Sequence, residues 1–242
     1  CMREENLIVS VWRGDGEQGE YVDYRVPREE SQTVLDVVTY IQRKIDPTLS
    51  YRFSCRVGMC GSCAMTVNGK PRWTCRTHVS KVAPDGKLSV GPLRIMNVVK
   101  DLSVEMSDFF EKWVRAEGRF HPTKTRYDDF DAIKPADNKR KIASAGIECI
   151  GCGICYSGCD VVAWKAEYLG PAALNRAWTL VNDVRDGGQI ARLNAIAGDA
   201  GCHACHSQQG CVENCPKHLN PTASIAGLKR VTAFAALKGG LK

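Results

Sequence analysis

The sequence predicts an α+β fold in two parts: a small mixed sheet with one crossing helix, then a helical part. Three observations carry this. The first hundred residues hold short alternating runs, an Asn-Gly dipeptide stands between two of them, and the later pattern is helical with prolines opening its helices. Residues 6–12, "NLIVSVW", and 20–26, "EYVDYRV", alternate as strands do. Residues 33–45, "TVLDVVTYIQRKI", place apolar groups at 34, 37, 38, 41 and 45, a helical stripe. In "CAMTVNGKPRWTC", Asn68-Gly69 predicts a hairpin, because both residues tolerate positive φ. Residues 101–115 read as a helix with apolar groups at 102, 106, 109, 110 and 113 and Asp101 as its N-cap. Residues 120–141 read as a polar surface connection. From 142 onward helices dominate, with Pro171 opening one and Asn220-Pro221 another. The domain boundary is expected near residue 105, giving domains 1–105 and 106–242.

The length of 242 residues fits one or two domains with a real core. Hydrophobic content of 44% and charged content of 25% are ordinary for a globular chain. No apolar run approaches the roughly 20 residues of a membrane helix. Cys1-Met2 is an unusual start, and no export signal is read after it. The net charge of +6 is scattered, with no basic stripe interleaved with aromatics, so no nucleic-acid partner is expected. No glycine-rich dinucleotide fingerprint is read after a strand, which argues against a complete dinucleotide enzyme.

Thirteen cysteines, an odd number, occur in clusters. Such clustering favours metal ligation over a disulfide framework. Cys55, Cys60 and Cys63 have the spacing C-x4-C-x2-C, and Cys75 follows from the hairpin. This is the plant-type 2Fe–2S arrangement. Gly58 and Gly61 allow a tight loop that turns backbone N–H groups toward sulfur. A four-thiolate zinc site is the alternative.

Cys149, Cys152, Cys155 and Cys159 give C-x2-C-x2-C-x3-C, the bacterial ferredoxin run whose last cysteine serves the other cluster. "GCHACHSQQGCVENCP" aligns with that run through its Cys215-Pro216 end. Its third, second and first positions are then Cys211, Gln208 and Cys205. Each run lends its last cysteine to the other. Cys149, Cys152, Cys155 and Cys215 therefore suit 4Fe–4S, while Cys159, Cys205 and Cys211 make only three thiolates. An amide oxygen is a poor iron ligand beside thiolates. The corner at Gln208 should lack iron, giving 3Fe–4S. Cys202 is read as an ordinary thiol, with a fourth-ligand role as the alternative.

Three clusters in this order resemble the iron–sulfur subunit of succinate dehydrogenase and fumarate reductase. "SYRFSCRVGMCGSCAMTVNG", "CIGCGICYSGC" and "CHSQQGCVENCPKHLNPTASI" are similar to that family's three cysteine blocks. The departures are Asp160, where proline is usual, and the additional Cys202. The fold implied is an N-terminal plant-type ferredoxin-like β-grasp domain followed by an all-helical bacterial-ferredoxin-like domain. The role implied is electron transfer within succinate dehydrogenase. Single electrons pass from the FAD of a flavoprotein subunit through 2Fe–2S, 4Fe–4S and 3Fe–4S to a membrane quinone at an anchor subunit. Quinol:fumarate reductase running in reverse is an alternative, as is a soluble ferredoxin-like carrier for another flavoenzyme. By motif position, Trp164, His206 and Lys229 match residues lining the family's quinone pocket. An indole N–H could donate to a quinone carbonyl, and His206 and Lys229 could supply protons or compensate charge. The location implied is peripheral, on the cytoplasmic face of a bacterial inner membrane or on the matrix side of a mitochondrial one. His78, His121, His203 and His218 are read as surface or packing residues.

Overall fold

The computed structural model describes residues 6–16 and 18–241; the Cys1-Met2 start lies outside them. The elements in order are β1 (Asn6–Gly14), β2 (Gly19–Pro27), α1 (Val34–Tyr40), β3 (Ala64–Val67), β4 (Lys70–Trp73), α2 (Val79–Val82), β5 (Lys87–Gly91), β6 (Val98–Lys100) and β7 (Ser103–Val104). Then follow α3 (Ser107–Arg115), α4 (Asn138–Ile147), α5 (Ile154–Ser157), α6 (Asp160–Trp164), α7 (Gly170–Val181), α8 (Gln189–Ile196), α9 (Gly210–Glu213) and α10 (Pro221–Leu237). They form two compact units. One holds the described residues up to Met106 together with Ile150–Gly158, and the other holds Ser107–Cys149 and the residues from Cys159 on.

In the first unit a five-stranded sheet runs β2-β1-β5-β3-β4. β1 pairs parallel with β5, and the other pairs are antiparallel. Alternate residues Leu7, Val9 and Val11 of β1 are buried and meet Val34, Val37, Val38 and Ile41 from α1 and the turn after it. The period of 2 thus faces the period of 3.6 across one apolar layer. Thr33 and Asp36 form a capping box: the Thr33 hydroxyl accepts from Asp36 N at 3.2 Å, and the Asp36 carboxylate accepts from Thr33 N at 3.0 Å. The hairpin forms where Asn68-Gly69 predicts it, at φ 48° and 77°.

Two expectations need correction. Asp101 caps no helix, because the helix starts only at Ser107. Asp101 lies at φ 50° in the turn between β6 and β7, and it is buried. Its carboxylate accepts from Arg13 Nε at 3.0 Å, Gly14 N at 3.1 Å and Ser50 N at 2.8 Å. Those three donors outbid a local cap. The expected absence of a glycine-rich fingerprint also fails in the letter, since Gly14, Gly16 and Gly19 spell G-x-G-x-x-G after β1. They join β1 to antiparallel β2, with Gly14 paired to Gly19, and open no helix that could cradle a phosphate.

The second unit is built around α7, buried on most sides. α4 and α10 approach it closely at glycines. A Cβ at Gly146 would lie 1.9 Å from the Thr179 hydroxyl, and one at Gly227 would lie 2.6 Å from the Trp178 ring. Pro171 sits in the first turn of α7, and the Asn220 side chain caps α10 by accepting from Ala223 N at 2.9 Å. The 120–141 connection is largely exposed, but its start is pinned by His121 N donating to Asp186 at 3.0 Å.

Candidate iron–sulfur centres

Cys55 and Cys60 lie on the loop before β3, Cys63 at its edge, and Cys75 in the turn after β4. Arg56, Gly58 and Gly61 all take positive φ, which curls the loop's N–H groups inward. Val57, Met59 and Cys60 N–H donate to Cys55 Sγ at 3.5, 3.3 and 3.3 Å, and Cys55 N–H donates to Cys60 Sγ at 3.5 Å. This nest concentrates positive potential where thiolates and added electrons need it. The Val57 and Met59 donors lead in lowering the Cys55 thiol to about 6. Burial, then the neighbouring Cys63, pushes Cys75 up to about 12. Thr74 fastens the far end to Cys63, its N–H and hydroxyl both donating to the Cys63 carbonyl at 3.1 and 2.8 Å.

The loop has no room for larger residues. A Cβ at Gly61 would lie 2.8 Å from Cys152 Cβ, so the second cysteine run lies directly against the first loop. Gly153 faces Met96 and Met106 in the same way and leads into α5 at φ 77°. Cys152 and Cys155 belong to this unit. Cys149 and Cys215 belong to the other, where an ion pair of 3.5 Å between Glu148 and Lys217 ties their two segments together. Leu219 N–H donates to Cys215 Sγ at 3.4 Å.

Cys159, Cys205 and Cys211 come together. The charges of Cys205 and Cys159 act on Cys211, that of Cys205 acts on Cys159, and all three act on the buried Tyr168. Burial leads in raising all three of Cys159, Cys211 and Tyr168. Ser207 N–H donates to Cys205 Sγ at 3.5 Å, and Thr222 Oγ1 lies 3.4 Å from Cys211 Sγ. Gln208 is exposed between Ser207 and Gln209, both in left-handed backbone. Cys202 is fully buried and 3.7 Å from the Thr232 hydroxyl. That hydroxyl donates to the Leu228 carbonyl at 2.9 Å, which leaves its oxygen to accept from the Cys202 thiol.

All-thiolate sets with N–H groups aimed at sulfur fit iron–sulfur clusters. Among the described residues, no three or more His, Cys, Asp or Glu side chains close up as one metal ion requires.

A domain family described as "2Fe-2S iron-sulfur cluster binding domain" matches residues 8–111, and one described as "4Fe-4S dicluster domain" matches residues 148–220. The fumarate reductase iron–sulfur subunit of Mycobacterium tuberculosis is 36% identical over 220 residues, covering 89% of this chain and 87% of that one. The chain belongs to the succinate dehydrogenase and fumarate reductase iron–sulfur subunit family. The succinate dehydrogenase iron–sulfur subunit of Paracoccus denitrificans, another member, is 33% identical over 227 residues, covering 92% of this chain and 86% of its own. A chain of the Mycobacterium smegmatis Sdh1 complex in the apo form superposes with a TM-score of 0.83 at 28% identity, covering 96% of this chain and 97% of that one.

Within the family frame, the three remaining positions divide. Lys229 on α10 donates from Nζ to the Cys205 carbonyl at 2.7 Å, next to His206 in the chain. His206 is exposed, and Trp164 at the end of α6 is 71% exposed. Asp160 takes the first position of α6, where either proline or an acidic residue suits free N–H groups. Tyr168 and Thr222 escaped the sequence reading. Neither lies in a cysteine run, and nothing in their spacing announces a shared target.

Proposed function

We propose that this chain is the electron-transfer subunit of a succinate:quinone oxidoreductase. It relays single electrons from the FAD of a flavoprotein subunit to a membrane quinone at the interface with an anchor subunit. When bound, each cluster takes up and gives out one electron, linking two-electron chemistry at either end. Cys55, Cys60, Cys63 and Cys75 hold the 2Fe–2S cluster. Cys149, Cys152, Cys155 and Cys215 hold the 4Fe–4S cluster, a set supported by its spacing in the sequence. Cys159, Cys205 and Cys211 hold a 3Fe–4S cluster. The reading divides the chain near residue 105 into a β-grasp domain and a helical ferredoxin-like domain.

The observation that carries this reading is the gathering of Cys159, Cys205 and Cys211 around one buried phenol, with an exposed Gln208 at the position where the spacing of the run asks for a fourth cysteine. The abutment of Gly61 on Cys152 supports a short step between the first two clusters. Lys229, tied to the peptide before His206, supports a fixed cation beside the third, where His206 and Trp164 would face the quinone. No helix among the described residues is long and apolar enough to cross a membrane, so quinone access would rest on an anchor subunit. Quinol:fumarate reductase uses the same parts in reverse, and the fumarate reductase name of the Haemophilus influenzae relative, 34% identical over 216 residues, keeps that direction as the second reading.

Low-temperature EPR under stepwise reduction tests the assignment. The expected result is an oxidised-state 3Fe–4S signal that disappears, followed by 2Fe–2S and 4Fe–4S signals. Two 4Fe–4S centres without a 3Fe–4S signal would overturn the role of Gln208. Copurification with an FAD subunit and an apolar anchor separates a complex subunit from a free carrier.

A further inference from the structure

We propose that Tyr168 and Thr222 are hydroxyl donors that set the reduction potential of the third cluster, an inference resting on the 3Fe–4S reading above. Tyr168 is 1% exposed, packed in the turn that leads into α7. A phenol so deeply buried needs a partner, and Cys205, the first of the three cysteines whose charge acts on it, is the acceptor assigned to its hydroxyl. Thr222 stands in the first turn of α10, two residues after the Asn220 cap, and its Oγ1 lies 3.4 Å from Cys211 Sγ. A ligating cysteine has lost its proton. Both hydroxyls must then donate, and each sulfur must accept.

The consequence is electrostatic. Reduction adds one electron to the cluster and no proton to either hydroxyl. A donor aimed at sulfur stabilises the more negative state more than the less negative one. The two hydroxyls therefore make the third centre easier to reduce, in addition to the backbone donors from Ser207 to Cys205 and from Val161 and Val162 to Cys159. They come from two different segments, one before α7 and one on α10, and neither is itself a ligand. They act through the sulfurs they touch and are positioning residues.

The test is an EPR-monitored redox titration of the full chain in its complex, with dithionite as reductant and mediators present. Tyr168→Phe and Thr222→Val keep shape and remove one hydroxyl each; Thr222→Ser keeps the hydroxyl. Each removal is expected to lower the reduced-to-oxidised ratio of the 3Fe–4S centre about tenfold at fixed ambient potential, a downward shift of about 59 mV for one electron. Thr222→Ser should titrate as the parent, and the 2Fe–2S midpoint should stay in place. Unchanged or raised midpoints in Tyr168→Phe and Thr222→Val overturn the proposal. So does loss of the 3Fe–4S signal in both while Thr222→Ser retains it, because the hydroxyls would then serve assembly rather than potential. A parent chain with no 3Fe–4S signal at all would overturn the cluster assignment first, and this inference with it.

Discussion

Gln208 is the single residue on which the chemistry of the third cysteine run turns. Its position in the third cysteine run asks for a thiolate, and its side chain offers only a neutral amide. If the third site holds 3Fe–4S as proposed, Gln208→Cys should supply a fourth ligand, so the oxidised-state 3Fe–4S signal should vanish and a second 4Fe–4S signal appear on reduction. An unchanged EPR spectrum would mean that the loop, not the residue type, excludes the fourth iron. Gly61 makes the opposite case, where having no side chain is what matters. At φ 73° a non-glycine residue costs about 1–2 kcal/mol. An added Cβ would also press on Cys152 at 2.8 Å. Gly61→Ala should lower the melting temperature and weaken the visible 2Fe–2S absorbance. The same φ sign was legible in the sequence as a glycine-rich loop, but the neighbour it makes room for was not.

Elements carry these residues, and their ends matter more than their middles. α10 brings Thr222 and Lys229 to one site because Asn220 and Pro221 fix where the helix begins. Asn220→Ala removes the side-chain acceptor for Ala223 N–H and should cost about 1 kcal/mol. The expected readout is a lower melting temperature for Asn220→Ala, with Asn220→Ser or Asn220→Asp keeping most of the parent's stability. A melting curve unmoved by Asn220→Ala would mean that packing on α7, through Gly227 and the Ser224–Asn175 bond of 2.8 Å, holds the start of α10 unaided. Helix starts marked by proline and asparagine were readable in advance, as was the hairpin at Asn68-Gly69. The start of α3 was not. Asp101 looks like a cap in isolation, and only Arg13, Gly14 and Ser50, far off in sequence, reveal it as a buried acceptor.

Across the whole molecule, stability and titration are set by groups no local pattern names. Arg192 and Asp186 form a fully buried pair at 2.7 Å, with Arg192 also donating to the Glu117 and Arg119 carbonyls at 2.9 Å. Arg192→Ala would strand a buried carboxylate and should cost about 3–5 kcal/mol, read as a large fall in melting temperature at fixed scan rate. An effect below about 1 kcal/mol would mean that Asp186 protonates at little cost. Asp183 is held below the usual carboxylate range by the Arg185 guanidinium at 2.7 and 2.9 Å, which outweighs its burial. A lowered folded pKa contributes stability in full above the unfolded value of about 3.9 and loses it as pH falls toward the folded value. The melting deficit of Asp183→Asn should therefore be present at pH 7 and narrow below about pH 4; a deficit independent of pH would mean the carboxylate charge is not what matters. By itself, the sequence determined the order of a mixed sheet followed by helices and the positions of the cysteine runs, because strand and helix periods and ligand spacings are local properties of a chain. Only the tertiary structure decided that Gly61 abuts Cys152, that Asp101 is buried, and that Tyr168 and Thr222 meet cysteines 37 and 11 residues away. Those contacts arise from packing and desolvation between segments far apart in the chain, and no one-dimensional pattern records them.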